Sequence, residues 1–248
     1  MKRGIYASIF IIFSIFILVT GCTVNILVPE VPPTYSPTPS STFIPTPTVT
    51  PYPLHKNITV TIFWIGEEAG QENGFIGNTM SAWDDEWMNH YGGYDDPDHR
   101  NGYFPQGFIP KENPFYFALP YNDFKDGIRK PDAYMVVYWA WEKLWGKYES
   151  MCKNRWIRII KGNKVVYGQW EDVGPFGEDD KNYVFGYALP QNLENKRAGL
   201  DVSPAIRDYL GLSDIDKIDW QFVREEEVPP GPWKEIITTS QVHWRKPP

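Results

Sequence analysis

The sequence predicts a mainly β domain closed into a small barrel, with one or two short helices and long loops. Three observations carry that reading: several short stretches rich in β-branched and aromatic residues, turn chemistry between them, and one well-capped helical segment. Closure follows because an open sheet of short strands leaves unpaired edges.

Residues 58–65, Ile-Thr-Val-Thr-Ile-Phe-Trp-Ile, stop at Gly66 and read as the first strand. Residues 66–113, full of Gly, Asn, Asp and aromatics, read as irregular loops, and loops this long inside a compact domain are usually functional. Residues 115–119 form a strand between Pro114 and Pro120. Over 132–148, Tyr134, Val137, Trp141, Leu144, Trp145 and Tyr148 recur at helical spacing, which predicts an amphipathic helix. Residues 155–160 and 164–170 flank Lys161-Gly162-Asn163, a hairpin turn. A further strand is expected over 183–189, ended by Pro190. Ser203 suits an N-cap, Pro204 the first helical position and Gly211 the residue past the end, so 205–210 reads as a short helix. Residues 217–224 alternate Ile218, Trp220 and Phe222 on one face, and 235–240 is expected to be the last strand.

The 248 residues carry 24 Lys+Arg against 31 Asp+Glu, a net charge of -7, with two cysteines. That excludes a disulfide-stapled miniprotein and a basic nucleic-acid binder. Lys2 and Arg3 precede an uncharged apolar run over 5–19 that ends in Val19-Thr20-Gly21-Cys22. These residues resemble the lipobox of bacterial lipoproteins, which implies a signal peptide over 1–21 and acylation of Cys22; the alternative is an uncleaved membrane span. Residues 29–53 hold nine prolines, six threonines and three serines, an extended spacer of polyproline II type. The expected organisation is a signal over 1–21, a lipidated linker over 22–56 and one folded domain over 57–248, in the cell envelope outside the cytoplasm. Cys152, left without a partner, reads as a buried small hydrophobe.

The segment from Trp156 to Phe176, ending Trp170-Glu171-Asp172-Val173-Gly174-Pro175-Phe176, resembles the central hairpin of the rare lipoprotein A type of double-psi β-barrel. Gly199-Leu200-Asp201-Val202-Ser203-Pro204-Ala205 resembles that family's Ile-Asp-Leu-Ser segment and the His-Phe-Asp-Leu-Ser segment of expansins, and Ala118-Leu119-Pro120 resembles the stretch before the hairpin. The three blocks cover less than half of the mature chain. The resemblance implies an elaborated six-stranded double-psi barrel and glycan-directed activities: peptidoglycan-lytic transglycosylases, family 45 endoglucanases and non-hydrolytic expansins. About thirty residues between Pro120 and Arg155 are extra, and the family's histidine falls here on Tyr116, so the lytic mechanism that uses it does not carry over.

Glycosidic cleavage requires a proton for the leaving oxygen, from a carboxyl whose pKa apolar surroundings raise. Asp172, between Trp170 and Phe176, is the expected general acid, with Asp201 assisting as second carboxylate. The opposing reading makes Asp172 a turn residue and Asp201 a brace for the Ser203 helix. Tyr116, Asp123, Glu67 and Trp170 are the expected substrate contacts; Asp84 and Asp85 could line the same groove, and Trp64, Trp83, Trp87 and Trp170 could offer stacking faces. The partners expected are polysaccharide or peptidoglycan, and the membrane through acylated Cys22, with no nucleic acid. An expansin-like binding module and a structural envelope protein remain the alternatives. His90 and His99 with Asp95, Asp96 and Asp98 match no calcium loop, so no metal is expected, and no Gly-rich phosphate loop or other cofactor motif occurs.

Overall fold

The computed structural model describes residues 52–244, which belong to one compact unit. The signal, Cys22 and nearly all of the linker lie outside the described residues. Six strands close a barrel: β1 (His55–Ile62), β2 (Tyr116–Leu119), β3 (Trp156–Lys161), β4 (Lys164–Val173), β5 (Ala198–Val202) and β6 (Ile215–Val223), in the order β1-β6-β3-β4-β2-β5. Pairing is mixed. The β1–β5 and β2–β4 ladders are parallel, the others antiparallel. The fold is therefore mainly β and closed, as the short strands predict, with four short helices among the described residues instead of one or two: α1 (Trp87–Tyr91), α2 (Ala133–Val136), α3 (Lys181–Val184) and α4 (Pro204–Leu210).

Alternation sorts each strand between two apolar clusters. Val60, Phe117, Leu119, Ile157, Ile159, Trp170, Leu200, Val202, Ile218, Trp220 and Phe222 join the main core. Tyr116 and Ala118 of β2 face the other way, into a smaller cluster with Phe63, Ile65, Trp87 and Tyr91. The loops over 66–113 thus pack onto one outer face of the barrel through α1. Helix α4 starts where its cap predicts, with the Ser203 hydroxyl accepting from the Ile206 amide and Gly211 ending it in the left-handed conformation.

Three expectations fail. Residues 132–148 are helical only over one turn; Trp141 and Leu144 are 79% and 98% exposed, so the helical spacing marks no buried stripe. The strand expected over 183–189 is instead α3 and a turn, because Tyr183 is drawn into the core, where its hydroxyl donates to Gly199 O and accepts from Trp220 Nε1. The barrel takes β5 in its place. Residues 235–240 form no strand; side chains take the place of a ladder, the Gln169 amide bonding both the N–H and the carbonyl of Thr238 and the Asn154 amide donating to the Ser240 carbonyl. Cys152 is fully buried and unpaired, and burial pushes its thiol well up.

Candidate functional site

The site grows from strand register. Ala118 on β2 lies opposite Asp172 on one side and Asp201 on the other, and Asp201 in turn lies opposite Thr61 on β1. Thr61, Asp201, Ala118 and Asp172 therefore form one row across four strands. Simple alternation along β4 would send Asp172 to the same side as Trp170, into the core. The ladder skips a residue here: Phe117 pairs with Trp170 and Ala118 with Asp172, leaving Glu171 as a bulge. The bulge brings Asp172 level with Ala118 and within electrostatic reach of Asp201.

The two carboxylates are held differently. Asp172 is 8% exposed, and its Oδ1 accepts the amides of Ala82 at 2.7 Å and of Val173 at 2.8 Å. Ala82 is placed by its neighbour Trp83, whose fully buried ring packs edge-on to Trp170 and donates to Asn122. Asp201 is half-buried; its Oδ1 accepts the Thr61 hydroxyl, and its Oδ2 reaches toward Gly174, where a Cβ would stand 3.5 Å away. Ala118 and Gly174 thus form a low floor beside the acids. Among the described residues the Oδ2 atoms of Asp172 and Asp201 have no hydrogen-bond partner.

Burial lifts both groups to about 7. For Asp172 the two amides and the more distant Lys153 oppose that rise, since they favour the anion. For Asp201 the charges of Asp172 and Glu67 add to it, against the Thr61 bond. Glu67 is itself raised, first by burial, and accepts from Asn78 at 2.7 Å. It also lines a cleft of about 590 Å³ with Trp64, Gly66 and Tyr94, in which the Trp64 indole donates to the Tyr94 hydroxyl. Glu67 thus links the acid row, through its charge on Asp201, to a cleft with an aromatic wall.

No protein-family model and no curated protein matches the chain. A solved structure described as Streptomyces papain inhibitor (SPI) is similar at 11% identity, over 71% of this chain and 98% of its own, with a TM-score of 0.30.

Other expected site residues lie away from this surface. Tyr116 is fully buried under α1, where its hydroxyl donates to Asp95 and accepts from the Ile65 amide, so it reaches no groove. Asp123 is buried within the 121–154 segment, near whose start it lies, and accepts from the Ser150 hydroxyl and the Met151 amide near its end; it ties that loop together. Trp170 fills the barrel, with its indole on the Asp172 carbonyl. Trp83 and Trp87 are likewise interior, leaving Trp64 as the half-exposed member of that set. Asp84 is buried against His90, and the Asp85 amide donates to the His243 carbonyl. Asp95 is taken by Arg100 and Tyr116, and Asp96 bonds the Asp98 and His99 amides. Among the described residues no three His, Cys, Asp or Glu side chains converge as a metal site.

Sequence reasoning missed Thr61, Ala118 and Gly174, which hold or expose the acids. Thr61 looks ordinary in its strand, and Ala118 and Gly174 enter the sequence reading only as parts of the resembling blocks; register puts Thr61 and Ala118 in the acid row, while Gly174 faces Asp201 from just past the end of β4.

Proposed function

We propose that this chain is a lipid-anchored protein of the cell envelope whose double-psi-like barrel cleaves cell-wall or extracellular polysaccharide, with Asp201 donating the proton and Asp172 acting as its ionised partner. The observation that carries the reading is the row in which the two carboxyls flank Ala118. The assignment reverses the roles that motif position suggests. Two backbone amides stabilise the anion of Asp172, whereas Asp201 sits in the field of two other carboxylates and holds its proton longer.

Two strand spacings separate the Cα atoms of the pair, roughly 9–10 Å, and Asp201 leans over the Ala118 floor between them. A water seated between the two carboxyls would give the arrangement of an inverting hydrolase. Asp172 would orient or deprotonate this water while Asp201 protonates the leaving oxygen. Trp64 and Tyr94 would offer sugar rings an apolar face in the adjoining cleft, with Glu67 marking its boundary with the acids. The deep burial of Asp172 favours a second reading, in which the row binds glycan without breaking it, as expansins do.

Incubation with purified peptidoglycan and a polysaccharide panel separates these readings. Cleavage predicts soluble fragments from the wild type, lost in Asp201→Asn. Pelleting with the glycan but no fragments selects the binding reading, and neither result for any glycan contradicts both.

A further inference from the structure

Away from the acid row, the loop that caps Asp172 carries a second constellation. His90, at the end of α1, points Nδ1 at Asp84 Oδ2, 2.7 Å away. Asp84 is fully buried, and its Oδ1 accepts the Glu86 amide at 2.9 Å, so the carboxylate is fixed on both sides. A carboxylate on Nδ1 sets the tautomer of a neutral imidazole, leaving Nε2 with its lone pair. This is the backing that metal-binding histidines commonly have.

A second imidazole is brought alongside by backbone bonding. The His243 amide donates to Trp83 O at 2.9 Å, and the Asp85 amide donates to His243 O at 3.3 Å. The exposed His243 ring then lies 4.9 Å from that of His90, centroid to centroid, at 56°. With metal–nitrogen bonds near 2.0–2.1 Å, an ion on one nitrogen of each ring would sit about 3.2 Å from each centroid, and rings 4.9 Å apart subtend about 100° there. That angle falls between the octahedral and tetrahedral values.

We propose that His90 and His243 form a two-imidazole site for a divalent transition metal, with Asp84 as the buried carboxylate behind His90. Water fills the remaining positions. Imidazole donors suit copper, nickel and zinc, whereas calcium and magnesium take oxygen ligands. Bound metal would clip the 241–244 segment onto the loop whose Ala82 amide caps Asp172. The proposal is independent of glycan cleavage.

The test uses the detergent-solubilised full chain, stripped with a chelator and titrated separately with Cu²⁺, Ni²⁺, Zn²⁺ and Ca²⁺. Thermal unfolding followed by tryptophan fluorescence reports stabilisation, and copper electron paramagnetic resonance counts bound nitrogens. The expected result is a rise in Tm with Cu²⁺, Ni²⁺ or Zn²⁺ but not Ca²⁺, and two imidazole nitrogens on copper. His90→Gln and His243→Gln, neither of which alters a buried side chain, should each weaken binding at least about tenfold. Asp84→Asn should weaken it roughly 10–100-fold. A chain that no transition metal stabilises, or a rise that survives in the His90→Gln/His243→Gln double variant, would overturn the proposal.

Discussion

Replacing Asp201 by Asn should make the protein more stable at neutral pH. The Asn carbonyl can still accept from Thr61, so the variant removes the ionisable proton and leaves the local bond in place. In the folded chain Asp201 is raised from 3.8 to about 7, first by burial, then by Asp172 and Glu67. The unfolded chain thus sheds this proton at lower pH than the folded one. The stability linked to the protonated form is complete below about 3.8 and is lost as pH rises through about 7. At 1.36 kcal/mol per pH unit the loss has a ceiling of roughly 4 kcal/mol. Asp201 is partly solvated and shares its repulsion with Asp172, so about 1–3 kcal/mol is the reasonable size. Urea and thermal unfolding at pH 4 and pH 8 measure it. At pH 8 the variant should gain roughly 2–12 °C in Tm, and at pH 4 the two proteins should coincide. A variant that is less stable at pH 8, or equally shifted at both pH values, would refute the electrostatic reasoning. Greater stability together with lost fragment release is what a strained catalytic acid produces.

Other perturbations test the scaffold. Lys153→Met should cost about 3–5 kcal/mol by stranding the buried Glu171, its ion-pair partner, and Lys153→Met/Glu171→Leu should recover most of that loss in urea unfolding. Ser203→Ala removes the hydroxyl that accepts from Ile206 and should cost about 1 kcal/mol, read as a lower urea midpoint at unchanged slope. Trp220→Ala, in the barrel core, should cost about 3–5 kcal/mol, while the exposed Trp141→Ala should stay within about 0.5 kcal/mol, both measured by urea unfolding.

The elements legible in the sequence were those with local chemistry. The hairpin around Gly162, the Ser203-Pro204-Gly211 helix and the alternation of Ile218, Trp220 and Phe222 depend on neighbours in the chain, and all three form. Failures came where distant partners decide. Tyr183 has strand-forming neighbours, but its bonds to Gly199 and Trp220 draw it into a helical turn. The 132–148 aromatics are spaced like a helix face, yet Trp141 and Leu144 lie open to solvent, so spacing without a surface to cover produced one turn.

The candidate site was legible as a pair of acids and illegible as a geometry. Asp172 and Asp201 stand out in their motifs, but the bulge at Glu171 that brings them onto one row has no local signature. Tyr116 and Trp170 stood close to those motifs in sequence and are packed inside, because strand alternation and aromatic size favoured burial.

The proposed chemistry requires two carboxyls that exchange protons near neutrality and in a fixed order. Titration of carbon-13-labelled aspartate carboxyls by NMR, with Asp172→Asn and Asp201→Asn assigning the signals, tests this most directly. The prediction is two carboxyls titrating near neutrality, Asp172 first, with Asp201 moving down when Asp172 is neutralised. Ordinary titration of both near about 4, or an Asp201 indifferent to Asp172→Asn, would contradict it.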